Sequence, residues 1–268
     1  MKIGGREFDV VNECYIMGIL NVTPDSFSDG GKWDKPDVAL RHAQYMCDCG
    51  ADIIDIGGES SRPGHESISV QEELDRTIPV IEMIKSRIDI PISIDTCKSV
   101  VATAAIGAGA DLINDIWGLK SDPEMAKVIA QSGLPCCLMH NRADMEYKDF
   151  MSDFLEDMRQ TLSLAQSGGI NADKIILDPG IGFAKTYEMN LEAINKIDVL
   201  KSLGYPVLLG ASRKRVIGYT LDLPVEERLE GSVSAAVVGM VRGCAFVRVH
   251  DVKETFRAIK MASAIVNS

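Results

Sequence analysis

The sequence lacks what a membrane or an export pathway would require. Segment 1–14 has no basic stretch leading into an apolar core, so no signal peptide is read there. No apolar run approaches the roughly 18 residues of a membrane span; the run at 235–241 is only seven long. Positive charge is in deficit, with 28 Lys and Arg against 39 Asp and Glu, a net charge of −11. Such acidity excludes the basic stripe of a nucleic-acid binder, and any anionic ligand would need a local cationic cluster set against the global field. Zinc-type CxxC pairs are missing. The seven cysteines, at 14, 47, 49, 97, 136, 137 and 244, lie mostly in apolar segments and read as free thiols packed as small apolar residues. That usage fits a reducing, cytoplasmic setting. Low-complexity tracts and internal linkers are also missing, so the 268 residues are expected to form one domain with a short N-terminal extension at 1–14.

What is present is a repeated alternation. Eight short apolar runs, at 15–20, 52–56, 91–94, 112–116, 134–139, 174–177, 206–209 and 245–249, are rich in Ile, Val and Leu and do not alternate cleanly with polar residues. Strands buried on both faces read this way. Amphipathic helical patterns separate them, for example over 70–87, 150–166, 229–242 and 252–266. Glycines at 50, 109, 133, 168–169, 204 and 243 follow helical patterns, where left-handed C-caps are expected. Eight βα units in a chain of this length predict an α/β fold, a single (β/α)8 TIM barrel; a doubly wound open sheet is the alternative.

Polar residues gather where the runs end. Asn21 follows the first, Glu59-Ser60-Ser61-Arg62 the second, Asp95-Thr96 the third and Asn114-Asp115 the fourth. His140-Asn141-Arg142, Asp178, Ser212-Arg213-Lys214, and Arg248 with His250 mark the remaining four. In a parallel barrel these ends share one face, where barrel active sites lie. Each residue alone has a plainer reading: Asp95 and Asp178 as helix N-caps, Asn21 and Asn114 as partners of loop backbone, His250 as a packed, hydrogen-bonded side chain. Their convergence favours an enzyme. Arg213, Lys214, Arg248 and His250 follow the last two strands, where barrels frequently bind phosphate. The carboxylates Asp95 and Asp178, with the Asn114 amide, suit a flat heterocycle presenting N–H donors and carbonyl acceptors.

Long motifs then match a known family. Met17-Gly18-Ile19-Leu20-Asn21-Val22-Thr23-Pro24-Asp25-Ser26-Phe27-Ser28-Asp29-Gly30-Gly31 resembles the first signature of dihydropteroate synthases. Gly50-Ala51-Asp52-Ile53-Ile54-Asp55-Ile56-Gly57-Gly58-Glu59-Ser60-Ser61-Arg62-Pro63-Gly64 resembles the second. Similar segments are Ser93-Ile94-Asp95-Thr96, Ile113-Asn114-Asp115, Leu177-Asp178-Pro179-Gly180-Ile181-Gly182-Phe183, Ser212-Arg213-Lys214-Arg215 and Arg248-Val249-His250-Asp251. They run in family order along nearly the whole chain. The resemblance implies a transferase of folate biosynthesis that joins 4-aminobenzoate to 6-hydroxymethyl-7,8-dihydropterin diphosphate, giving 7,8-dihydropteroate and diphosphate. It further implies that Asp95, Asn114, Asp178 and Lys214 hold the pterin, with Asp95, Asp178 and Lys214 as catalytic residues. Ser61, Arg248 and His250 would contact the diphosphate, Asn21 would bind Mg²⁺, and two copies of the chain would pair as a homodimer. Loops 22–32 and 60–68 would close over the site, with Phe27, Arg62 and Pro63 at the aminobenzoate. The chain departs from the family pattern in three places: Ser61 for a usual Thr, Ala184 for a usual Gly, and Asn141-Arg142-Ala143-Asp144-Met145 in place of Met-x-Gly-x-Pro.

Overall fold

A computed structural model describes residues 1–23, 35–59 and 67–268. The chain opens with a hairpin of β1 (Lys2–Ile3) and β2 (Arg6–Glu7), paired antiparallel. Eight parallel strands follow: β3 (Tyr15–Asn21), β4 (Ile53–Gly57), β5 (Ile92–Asp95), β6 (Leu112–Asp115), β7 (Cys136–Met139), β8 (Ile175–Asp178), β9 (Leu208–Leu209) and β10 (Phe246–Val249). The helices are α1 (Lys35–Asp48), α2 (Val70–Arg87), α3 (Ser99–Ala108), α4 (Met125–Ser132), α5 (Phe150–Ser167), α6 (Tyr187–Asn195), α7 (Ile197–Lys201), α8 (Arg215–Leu221), α9 (Leu229–Val241) and α10 (Val252–Val266). The strands run in the order β8-β7-β6-β5-β4-β3-β10-β9. A parallel bridge between Leu177 and Val207 joins the two ends. That closure makes the sheet a barrel and removes the open doubly wound sheet.

Alternation along the strands divides the core in two. Ile54, Ile56, Ile92, Ile94, Ile113, Leu138, Leu177 and Val247 belong to the larger apolar cluster, shared with the surrounding helices. Met17, Ile53, Leu112, Cys137, Ile176, Leu208 and Phe246 fill the inside of the barrel. Ile3 and Phe8 join this inner cluster from the N-terminal segment. The Phe8 ring meets Tyr15 edge-on, with centroids 4.7 Å apart. Residues 1–14 are thus a plug for one end of the barrel as well as an extension of the chain. The turn Gly4-Gly5, with φ of 56° and 84°, supplies the two left-handed residues that a two-residue hairpin turn demands.

Helix boundaries follow from local chemistry. Ser69, Asp149 and Thr186 accept the backbone N–H of Glu72, Ser152 and Met189, capping α2, α5 and α6. Gly109 and Gly133 end α3 and α4 in the left-handed conformation. All seven thiols are free, and burial pushes those of Cys14 and Cys97 up to about 12 and about 11. Raised thiols of this kind are poor nucleophiles, which agrees with a packing role.

Candidate active site

The strand register gathers the chemistry at one mouth of the barrel. Asp95 and Asn114 are register partners on β5 and β6, Asp178 pairs with Met139 across β7 and β8, and Arg248 lies opposite Met17. Asp95, Asn114 and Asp178 are buried. The Asp178 side chain caps no helix. Its Oδ1 accepts the Gly180 N–H at 2.7 Å, inside the loop that follows β8. Lys214, just before α8, donates from Nζ to the Ile181 carbonyl at 2.6 Å and sits 4.9 Å from the centre of the Phe183 ring. A methyl built on Gly210 would lie 3.7 Å from Asp178 Oδ2 and 3.8 Å from Lys214 Nζ. Carboxylate and ammonium therefore flank one point of the mouth. Burial raises the Asp178 carboxyl, against the opposing pull of Lys214, and lowers Lys214 to about 8.

Arg248 is the centre of this array. Its Nε donates to Asp55 Oδ2 and its Nη2 to Asp95 Oδ2, both at 2.6 Å, with only 12% of the side chain exposed. Asn114 Nδ2 also points at Asp55 Oδ2, 3.4 Å away. Asp55, fully buried, is the site residue that sequence reasoning passed over. The available signal was a carboxylate in the middle of an apolar strand. Asp55 Oδ1 and the hydroxyl of its register partner Ser93 have no hydrogen-bond partner among the described residues. Burial lifts Asp95 to about 7, with Arg248 opposing the shift.

The cationic cluster expected from the sequence is present but largely compensated. Arg213 grips Asp251 through two hydrogen bonds, of 3.0 and 2.5 Å, and adopts a left-handed φ of 57°. His250 Nδ1 meets the Ser212 hydroxyl at 3.0 Å. Burial, reinforced by Arg248, lowers His250 to about 3, so the imidazole is neutral at pH 7. Beside this group opens a cavity of about 420 Å³, lined by Asn21, His42, Tyr45, Arg213, His250 and Lys253 among others. Asn21 stands at its wall, at the end of β3. Ser61, Phe27, Arg62 and Pro63 lie outside the described residues, as does most of the two expected loops.

A chain with this barrel, this arc of carboxylates, amide and ammonium, and a polar cavity at the same strand ends has relatives of known structure. The pterin binding enzyme family matches residues 17–250. A dihydropteroate synthase of Clostridium beijerinckii is 58% identical over 99% of both chains. One from Bacillus subtilis is 56% identical over 94% of this chain and 88% of its own. The chain belongs to the dihydropteroate synthase family. Among solved structures, the Clostridium difficile dihydropteroate synthase, crystallised with pteroic acid, superposes with a TM-score of 0.94 at 49% identity, covering 98% of this chain and all of that one. The Xanthomonas albilineans dihydropteroate synthase in complex with 7,8-dihydropteroate gives 0.92 at 37% identity, covering 99% of this chain and 98% of that one.

Against the family pattern, two local departures acquire a structural meaning. Ala184 has a φ of 44°, in the region that glycine enters freely and that costs an L-residue roughly 1–2 kcal/mol. Its carbonyl is taken by the Tyr147 hydroxyl at 2.8 Å, and the Arg142 guanidinium stacks 4.5 Å over the Tyr147 ring. The unusual loop after β7 is therefore joined to the loop after β8. Gly180 is more constrained still. With φ at 67°, a Cβ there would stand 2.0 Å from the His140 carbonyl oxygen. Gly180→Ala should lower stability by roughly 1–2 kcal/mol for the left-handed backbone and about 1–3 kcal/mol more for the overlap. Urea unfolding checks this; an unchanged midpoint would contradict the loop geometry.

Proposed function

We propose that this chain joins 4-aminobenzoate to 6-hydroxymethyl-7,8-dihydropterin diphosphate, releasing diphosphate and forming 7,8-dihydropteroate for folate biosynthesis. The observation that carries the reading is the arc of buried Asp95, Asn114 and Asp178 with half-buried Lys214, at the same strand ends as a polar cavity walled by Asn21, Arg213 and His250. The arc offers acceptors and donors to the edge of a planar pterin, and the cavity takes the diphosphate. Whole-chain family membership makes residues 1–268 one pterin-binding unit in this reading.

An arylamine is a weak nucleophile, so the reaction depends on the leaving group. As the C–O bond to diphosphate breaks, the pterin methylene becomes a cation that the amine captures. Asp95 and Asp178 stabilise the positive charge spreading into the ring. Arg248 and His250 stabilise the departing anion, with the Ser61 hydroxyl expected beside them. An arriving dianion favours protonation of His250, reversing the effect of its present surroundings. Preorganised groups of this kind contribute a few kcal/mol each.

Magnesium fits the same cavity. Asn21, which carries one neutral side-chain oxygen, lines it, and among the described residues no cluster of three His, Cys, Asp or Glu exists to hold a metal unaided. Mg²⁺ characteristically binds through one or two protein oxygens plus water and substrate phosphate, so Asn21 would hold it together with the diphosphate. When bound, the ion would neutralise leaving-group charge.

A homodimer is supported by α9 and α10. Helix α9 buries Ser232, Ala236 and Gly239, yet Val238 and Val241 remain exposed, as do Met261 and Ile265 on α10. A cytoplasmic location is supported by the seven free thiols. No helix among the described residues is long and apolar enough to cross a membrane. Incubating the purified chain with both substrates and Mg²⁺ should give 7,8-dihydropteroate, identified by its mass; its absence would refute the function.

A further inference from the structure

Behind the pterin arc lies a buried chain of ionisable groups that the reaction above does not use. Lys185 is 7% exposed and His140 fully buried. Lys185 Nζ meets three acceptors: His140 Nδ1 at 2.8 Å, the Gly180 carbonyl at 3.1 Å and the Phe183 carbonyl at 3.2 Å. An ammonium has three N–H bonds, so all three are satisfied. On the other side of the ring, His140 Nε2 lies 3.0 Å from Asp157 Oδ2 on α5. The carboxylate fixes the proton on Nε2 and leaves the Nδ1 lone pair facing Lys185. We propose that Lys185, oriented by His140 and Asp157, is a positioning residue that sets pterin affinity by fixing the loop 178–185 from behind. The inference rests on the pterin-binding reading of this site.

The loop is gripped by two lysines. Lys214 binds the Ile181 carbonyl from the ligand side, with its Nζ near the Phe183 ring. Lys185 binds the carbonyls of Gly180 and Phe183, the residues on either side of that segment. Backbone contacts register the loop against β7: the His140 N–H donates to the Asp178 carbonyl at 2.9 Å, and Gly180 packs on the His140 carbonyl. Without the Lys185 side chain, the Phe183 carbonyl loses this donor and the Gly180 carbonyl keeps only the Phe183 N–H at 3.1 Å, so both peptides are held less firmly. Their rotation moves the surface on which Lys214 rests and the amide that holds Asp178 Oδ1. Burial lowers Lys185 to about 7, and in its protonated form it adds a small pull that favours the ionised Asp178 carboxyl. A merely structural link would lower the melting temperature while leaving the affinity of the folded protein unchanged.

The test uses the full chain with 6-hydroxymethylpterin as calorimetric probe, on variants shown to be folded by circular dichroism. In Lys185→Met, which keeps length and removes the donors, pterin affinity should fall tenfold or more. The KM for 4-aminobenzoate at saturating pterin diphosphate should stay within twofold. Where Lys185→Met fails to fold, a pair of His140 variants decides. His140→Gln keeps an acceptor for Lys185 and should bind the pterin within threefold of the parent, whereas His140→Leu should bind about tenfold more weakly than His140→Gln. Parent-like affinity in Lys185→Met or His140→Leu, or equal affinities in the two His140 variants, would overturn the proposal. A parent chain that does not bind the pterin would refute the functional reading itself, and the positioning role with it.

Discussion

Arg248→Ala should lower turnover by about 10²–10³, the scale of losing one preorganised charged donor. It should also destabilise the fold by about 3–5 kcal/mol, the scale of breaking a buried ion pair from one side. Both effects follow from its position. The guanidinium lies between Asp55 and Asp95, so its removal leaves two buried carboxylates facing each other. Asp95, already lifted to about 7 with Arg248 in place, would rise further and become a protonated acid at neutral pH. The pterin would then meet a changed acceptor, and the departing diphosphate would lose a cation. The double variant Arg248→Ala with Asp55→Asn separates the two consequences. Removing one of the stranded charges should restore part of the unfolding free energy, while turnover should remain low. Turnover restored by Asp55→Asn would mean that Arg248 only neutralises its neighbours.

Asp178→Asn should weaken pterin binding by roughly 10- to 100-fold, corresponding to about 1–3 kcal/mol for a mismatched buried polar group. Asp178 Oδ1 is committed to the Gly180 N–H at 2.7 Å, and Oδ2 lies on the Lys214 side of Gly210. An asparagine that keeps its oxygen on Gly180 must turn its NH₂ toward Lys214 and the ligand, setting donor against donor. Flipped, it sets donor against donor at Gly180 instead. Neither orientation serves both neighbours, a frustration that a carboxylate with two acceptor oxygens avoids. Calorimetry with 6-hydroxymethylpterin measures this directly, and parent-like affinity would remove Asp178 from the pterin site.

Much of the architecture is legible in the sequence because its determinants are local. The run at 112–116 becomes β6 and the pattern at 70–87 becomes α2, since apolar periodicity and caps such as Ser69 act within a few residues. The mouth of the barrel is legible for the same reason: in a parallel barrel, the residue after each strand shares one face with the others. Pairing across the barrel is less legible. Charges can be counted along the chain, but that Arg213 is held by Asp251 and Arg248 by Asp55 and Asp95 depends on register between distant strands. A cluster that reads as positive is therefore mostly compensated, and His250 is neutral. Lys185, His140 and Asp157 come from three separate parts of the chain, and only the curvature of the barrel joins them. The hairpin of residues 1–7 lies within what reads as a short extension, because its two-residue strands are too short to register as a period.

The central claim is that one site breaks the pterin–diphosphate bond for capture by an arylamine. Diphosphate release, followed with dihydropteroate formation in the presence and absence of 4-aminobenzoate, tests it most directly. The account predicts diphosphate and dihydropteroate in equal amounts when the amine is present, and far slower release without it. Equal rates of release with and without 4-aminobenzoate, and no dihydropteroate, would contradict it.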